Sequence, residues 1–368
     1  MLNTFLSGIR VLDLSQYLPG PFATQQLADM GADVIKVEPP KRDPLYYGLG
    51  GDETFSADYQ VMNAGKRICV LDLKTEEAKA TFTRMLGRAD VLMESFRPGV
   101  MDRLGFGPER LKEINPRLVH CALSGFGQTG PYRLVTGHDL SYVALSGGLA
   151  NSGTVETPVI TWPPMSDHAG AAQAVTGILG ALVRRARTGE GASIDVSMAE
   201  SLMAWQADGF TAALKKSPKR GQDIINGGAA FYQIYACADG CFVALCPLEP
   251  KYWANFCTAV GRTDWIDRQG EALPQTALIA DVAGLFKTRD RAAWDALLLE
   301  ADCCYQGILD YSEVPDHPHT RARGFVKKSE DRVEVLFPAY VDGNPPSDRA
   351  PLAEVGAEDV LSGWEGRP

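Results

Sequence analysis

Between residues 8 and 123 the chain alternates repeatedly between short apolar, β-branched runs and stretches of helical period. Residues 8–14 form a buried-strand pattern, and residues 32–38 a second one that Pro39 and Pro40 end. Between them Pro19-Gly-Pro21 reads as a loop and residues 23–30 as a helix. The order recurs as strand 67–73, helix 75–88, strand 90–94, helix 108–115 and strand 118–123. Parallel neighbours need a crossover, and such crossovers are right-handed. The alternation therefore predicts an α/β fold: a large, open, mostly parallel sheet with helices on both faces. Ligands of such sheets lie at the carboxyl ends of the strands.

A length of 368 residues exceeds what one hydrophobic core usually serves, so a second domain is expected. Residues 1–214 are assigned to the large α/β domain, and they include a long small-residue helix from Ser166 to about Arg187, with Ser166 as its N-cap. Residues 215–228 are basic, contain glycine and lack a period, which reads as a mobile linker. Residues 229–330 form a smaller α+β domain, opening on a hairpin of strands 231–236 and 241–246 around Asp239-Gly240. Residues 331–368 form a tail returning to the large domain, ending in a helix over 352–364.

A formal charge of −10 argues against nucleic acid and anionic membranes as partners. No apolar run is long enough to span a bilayer, and the N-terminus lacks a basic-then-apolar leader pattern, so a cytoplasmic protein is expected. The eight cysteines are scattered without CxxC spacing, so they read as reduced, mostly buried thiols, and no metal site is expected.

The chemistry is densest after the strand 118–123. A glycine-rich loop over 123–131 leads to Thr136-Gly-His-Asp-Leu-Ser-Tyr142, where a glycine introduces the adjacent pair His138 and Asp139. Strand, glycine-rich loop and paired titratable groups are how a site is built at a sheet's carboxyl edge. Taken alone, a His-Asp dipeptide is weak evidence, and Asp167 reads as part of the cap beside Ser166. Each basic residue of the N-terminal half, Arg97 excepted, reads alone as a solvated charge.

Several motifs in order carry more weight than any one of them. The succession Ile9-Arg-Val-Leu-Asp-Leu14, Gly31-Ala-Asp-Val-Ile-Lys-Val-Glu-Pro39, Lys66-Arg-Ile-Cys-Val-Leu-Asp-Leu-Lys74, Glu94-Ser-Phe-Arg-Pro-Gly99 and Thr188-Gly-Glu-Gly191 resembles the class III CoA-transferase family over essentially the whole chain. Gly137-His-Asp-Leu-Ser-Tyr142, the helix start at Asp167, Gly227-Gly-Ala-Ala-Phe-Tyr232 and Leu248-Glu-Pro250 resemble its racemase branch.

That resemblance implies an acyl-CoA enzyme, with CoA as part of the substrate and no other cofactor, working as an interlocked homodimer. Its roles fall on His138 and Asp167 as the two proton-transfer groups, on Glu249 as the acidic partner of the histidine, and on the Asp139 N–H as a donor to an enolate. The helix dipole would hold Asp167 ionised. CoA contacts are implied for Lys36, the run Leu71, Asp72, Leu73 and Lys74, the run Ser95, Phe96 and Arg97, and Arg103. Lys36 stands where relatives often carry an arginine at a phosphate, and a lysine there offers a point charge instead of a fork. His168 reads as local. Racemisation of a 2-methylacyl-CoA is the leading expectation. The rival is CoA transfer between carboxylic acids, with Asp139 as the nucleophile. A CoA-binding regulator without catalysis is disfavoured by the joint presence of His138, Asp139, Asp167 and Glu249.

Overall fold

Six strands form most of the main sheet: β1 (Arg10–Asp13), β2 (Asp33–Glu38), β3 (Arg67–Val70), β4 (Val91–Glu94), β5 (Val119–Ser124) and β6 (Ala192–Ser197). In this computed structural model, which describes residues 1–51, 54–329 and 332–365, they lie in the order β3-β2-β1-β4-β5-β6, and a two-residue strand, Ala353–Glu354, pairs with the outer edge of β3. Every pairing is parallel. The expected α/β sheet is therefore present. Side chains alternate along each strand, so Val11, Val34 and Val91 enter one core while Leu12, Ile35 and Leu92 enter the other. The first core is closed by α1 (Pro19–Asp29) and the second by α2 (Glu76–Leu86). The first also takes Tyr142 from α3 (Asp139–Leu145) and the small residues of α4 (Met165–Thr188).

The order in which strands are added reverses between β1 and β4, the switch point of a doubly wound sheet. Beyond the strand ends the two connections are stitched together: Leu14 N donates to Met93 O at 2.8 Å and Gln16 N to Ser95 Oγ at 3.0 Å. This is the edge at which the sequence predicts a site.

The first unit comprises Met1–Ser146, Pro163–Trp205 and Pro315–Pro368, and the second Gly147–Trp162 and Gln206–Val314. Residues 147–162 and 206–214, expected in the large domain, belong instead to the second unit. Arg220 explains part of this, since its guanidinium donates to the carbonyls of Ala150, Thr154 and Val155. The stretch expected as a mobile linker, 215–228, is a hydrogen-bonded turn around a short helix, Ile224–Asn226, in which Asp223 and Asn226 cap each other. Residues 315–329, expected in the small domain, belong to the first unit, and the expected boundary at residues 330 and 331 lies outside the described residues. Strands β7 (Gln233–Ala236), β8 (Phe242–Leu245) and β9 (Tyr305–Gly307) form an antiparallel sheet, with Gly240 at φ 80° turning the hairpin. Helix α5 (Pro250–Ala259) packs Trp253 and Phe256 into the core of this unit, where Phe286 stacks on Tyr235 and Phe256.

Helix boundaries depart from expectation at three places. Helix α1 starts at Pro19, so the Pro19-Gly-Pro21 segment is its first turn; a proline at the first helical position loses no hydrogen bond. Ser166 is not an N-cap but lies inside α4, whose cap position is Pro164. The last helix, α6 (Ala357–Gly363), is shorter than 352–364, because Ala353 and Glu354 add to the sheet edge instead. Among the described residues no helix is long and apolar enough to cross a membrane.

Candidate active site

Three of the four expected catalytic residues converge in the first unit, where the start of α3 meets the start of α4. His138 occupies the cap position of α3 with an extended backbone (φ −126°, ψ 178°), and its imidazole is exposed. Glycine is required just before it. A Cβ on Gly137 would stand 2.9 Å from Tyr142 Cε1 and 3.0 Å from Ser141 Cβ, and Tyr142 Oη donates to Gly137 O at 2.6 Å. The Tyr142 phenol is pushed up to about 12 by burial and by the carboxylates of Asp167 and Asp139.

Asp139 reaches across to α4. Its Oδ1 accepts the backbone N–H of Ser166 at 2.7 Å, the Ser166 hydroxyl at 2.6 Å and the backbone N–H of Asp167 at 3.1 Å. A helix terminus leaves its first N–H groups unpaired and partly positive, and Pro164 offers no side chain to satisfy them. The Asp139 carboxylate supplies that cap from another helix. Its Oδ2 has no hydrogen-bond partner among the described residues.

Asp167 differs from expectation in its charge. Burial and then the neighbouring Asp139 carboxylate push its carboxyl up to about 7. The helix dipole does not hold it ionised, because a half-buried site and a like charge on the same terminus outweigh it. An acid that titrates near neutrality can give as well as take a proton. His168 is local, as expected: its ring meets Phe22 edge-on at 4.8 Å, and burial lowers its pKa although Asp139 raises it.

Glu249 is carried by the second unit. It holds the cap position of α5 with an exposed carboxylate that makes no capping hydrogen bond. The same unit contains a cavity of about 660 Å³ with mostly apolar walls, among them Val155, Ile160, Ile225, Tyr232, Ile234 and Cys246.

Most of the residues expected to hold CoA surround one cavity of about 210 Å³ at the carboxyl edge of the first unit's sheet. Lys36, Leu71, Asp72, Leu73, Lys74 and Phe96 line it, together with Leu14, Gln16, Val37 and Leu104. Apolar walls with a few charged groups suit a purine and its attached phosphates. Ser95 and Arg97 stand on the following loop, and Arg103 in the short helix Val100–Leu104 after it. Ser95 Oγ accepts Gln16 N, and Arg97 donates to Leu134 O. Arg103 Nη1 would lie 3.5 Å from a Cβ on Gly99. Glu94 fixes the loop by accepting Phe96 N at 2.7 Å.

Beneath this cavity runs a buried charge network that the sequence did not announce. Asp13 Oδ2 lies 3.1 Å from Lys66 Nζ, and Lys36 Nζ donates to Asp43 at 3.0 Å and to Ser15 O at 2.6 Å. Burial pushes Asp13 upward, yet Lys66, Lys36 and the hydroxyls of Ser15 and Thr24 outweigh it and hold the acid at about 2. Burial lowers Lys66 to about 8. The Lys36 ammonium is thus engaged inside the protein. Ser166 and Asp43 were missed as contributors: their partners are distant in sequence, and no spacing rule relates them.

The model of CoA-transferase family III matches residues 6–356. The chain belongs to that family. It is 35% identical over 368 residues to the human alpha-methylacyl-CoA racemase, covering 97% of this chain and 92% of the relative. It is also 36% identical over 357 residues to the acetyl-CoA:oxalate CoA-transferase of Acetobacter aceti, covering 92% and 87%. Among solved structures, a CaiB/BaiF family protein from Brucella suis superposes with a TM-score of 0.84 at 28% identity, covering 98% of this chain and 99% of that one. Racemases and CoA-transferases thus both stand among this family member's relatives at similar identity.

Proposed function

We propose that this member of the family racemises or epimerises a 2-methylacyl-CoA by moving the proton on the carbon next to the thioester. The observation that carries this reading is the Asp167 carboxyl, raised to about 7 and set on the same helix terminus that Asp139 caps. Inversion needs two groups, one deprotonated and one protonated, that exchange roles with direction. A carboxyl raised to about 7 can both take and give a proton near neutrality, as the partner of His138 in that exchange must.

In one direction Asp167 takes the α-proton and His138 returns one to the opposite face; in the other the roles reverse. The electron pair left by the C–H bond moves onto the thioester oxygen. The N–H of Asp139, first of α3, is among those its own helix leaves unpaired, and it suits that oxygen as a donor. The Asp139 carboxylate is already occupied in capping α4, which favours a structural over a nucleophilic use. CoA is assigned to the cavity between β1, β2 and the Phe96 loop. Glu249 is assigned as the acidic partner of His138, and the working form as a homodimer; both assignments follow from the family resemblance.

The second reading is CoA transfer between carboxylic acids. It is favoured by Asp139 Oδ2, which has no hydrogen-bond partner among the described residues and could attack a thioester carbonyl. Incubating either enantiomer of a 2-methylacyl-CoA in heavy water decides between them. Deuterium at the α-position without any acceptor acid supports racemisation. No exchange at any chain length, with brisk CoA transfer to an added carboxylate, supports the transferase.

A further inference from the structure

Tyr17 has a positive φ of 61°, a left-handed backbone that residues other than glycine seldom adopt. Such strain persists only where the surroundings over-determine the conformation. Here each preceding position is pinned. Asp13 accepts Ser15 N at 2.9 Å, Lys36 holds Ser15 O, and Ser95 accepts Gln16 N. Asp43, itself fixed by Lys36, accepts Tyr17 N at 3.2 Å. Lys36 and Asp43 are fully buried, so this loop hangs from the interior rather than from solvent-facing contacts.

The ring so placed does not fill a core: Tyr17 is 45% exposed. It faces His138 instead, ring centroid to ring centroid 6.4 Å and 78° between planes, an edge-on aromatic contact. Among the described residues no hydrogen bond holds the His138 imidazole, and Tyr17 is its one aromatic neighbour. An exposed side chain kept on a strained backbone, against a reactive imidazole that no hydrogen bond holds among the described residues, serves orientation.

We propose that Tyr17 is a positioning residue for His138, fixing the imidazole plane from a loop whose backbone is anchored at the nucleotide cavity. The proposal rests on the reading of His138 as a proton-transfer group. It also gives Lys36 a use from within, through Asp43, independent of any phosphate.

The test uses the full-length protein labelled with [13C]histidine. Its five histidines give Cε1–H signals, that of His138 being the one missing from His138→Gln. The expected result in Tyr17→Leu is that the His138 signal moves as the ring current is lost, while the other four stay in place. With a 2-methylacyl-CoA, kcat for α-exchange falls about ten-fold with KM nearly unchanged, since a misplaced group costs rate more than binding. Tyr17→Phe, which keeps the ring, should restore both. An unmoved His138 signal in Tyr17→Leu would overturn the proposal. So would a Tyr17→Phe enzyme as slow as Tyr17→Leu, which would make the phenol a group that touches substrate. A wild type that neither exchanges nor transfers refutes the acyl-CoA reading, while the signal shift still decides the Tyr17–His138 contact.

Discussion

The Asp139 carboxylate accepts the backbone N–H of Asp167 at 3.1 Å, so two acids from different helices share one helix terminus. The arrangement has two effects of opposite sign. Asp139 satisfies the first N–H groups of α4, and its charge in turn disfavours a second one on Asp167. Burial and the adjoining Asp139 carboxylate together bring Asp167 up to about 7. The same capping bond fixes how α3 and α4 approach, and so where His138 stands relative to Asp167.

Asp167 therefore weakens the fold at high pH. Its folded-state value, about 7, lies above the ordinary 3.8, so the unfolded chain gives up this proton first as pH rises. Stability from this group is complete below about pH 4, falls as pH rises towards 7, and stays lower beyond it. A shift of about three units corresponds to roughly 4 kcal/mol, and partial solvent contact reduces this to about 2 kcal/mol. Asp167→Asn should be more stable than wild type by that amount at pH 8 and gain nothing at pH 4. Urea denaturation at the two pH values checks it; equal gains at both would remove the raised carboxyl as the cause.

Lys66→Met should cost about 3 kcal/mol, because it leaves Asp13 buried with one cation fewer. Adding Asp13→Asn removes the stranded charge, so the double variant should recover part of the loss. Chemical denaturation of the two variants measures this. A double variant worse than Lys66→Met by the full cost of a second independent site would mean that the two residues do not act as a pair.

Much of this was legible in the sequence, and the division follows physical range. Strands buried on both faces read as continuous apolar runs, and the repeated crossovers then dictate a parallel sheet, so β1 to β5 were found near their true bounds. The grouping of Leu71, Lys74 and Phe96 around one cavity follows from their shared position after strand ends. What sequence could not convey were through-space substitutions. Ser166 looks like a cap, but the capping carboxylate comes from Asp139, 27 residues upstream. Asp167 looks ionised by its helix, yet burial and Asp139 decide its charge. Lys36 looks like a surface cation on a strand, and only the fold reveals Asp43 and Ser15 O around its ammonium.

The proposed homodimer is tested by sedimentation at micromolar concentration, where the expected mass is twice that of the chain. The exposed apolar side chains of the second unit, Val155, Ile160, Trp162, Phe210, Leu214 and Ile225, give a second copy surface to cover. A monodisperse monomer with full activity would contradict the dimeric working form.

The roles of His138 and Asp139 separate by the order of two substitutions. In a racemase, His138→Ala removes one of two proton-transfer groups, at a cost of roughly 10²–10⁴ in rate. Asp167 still abstracts from its own face, so α-exchange should survive for one enantiomer and largely vanish for the other. Asp139→Asn keeps the backbone N–H and still offers an oxygen to Ser166 and Asp167, so its effect on rate should be the smaller. It also removes the charge that helps raise Asp167, and the ionisation of that acid in the pH–rate profile should move to lower pH. A transferase inverts the order. Asp139→Asn then abolishes turnover because the nucleophilic oxygen pair is gone, and His138→Ala is tolerated. Trapping an acyl group on Asp139 with hydroxylamine would decide for the transferase, since no acyl-enzyme forms when only a proton moves.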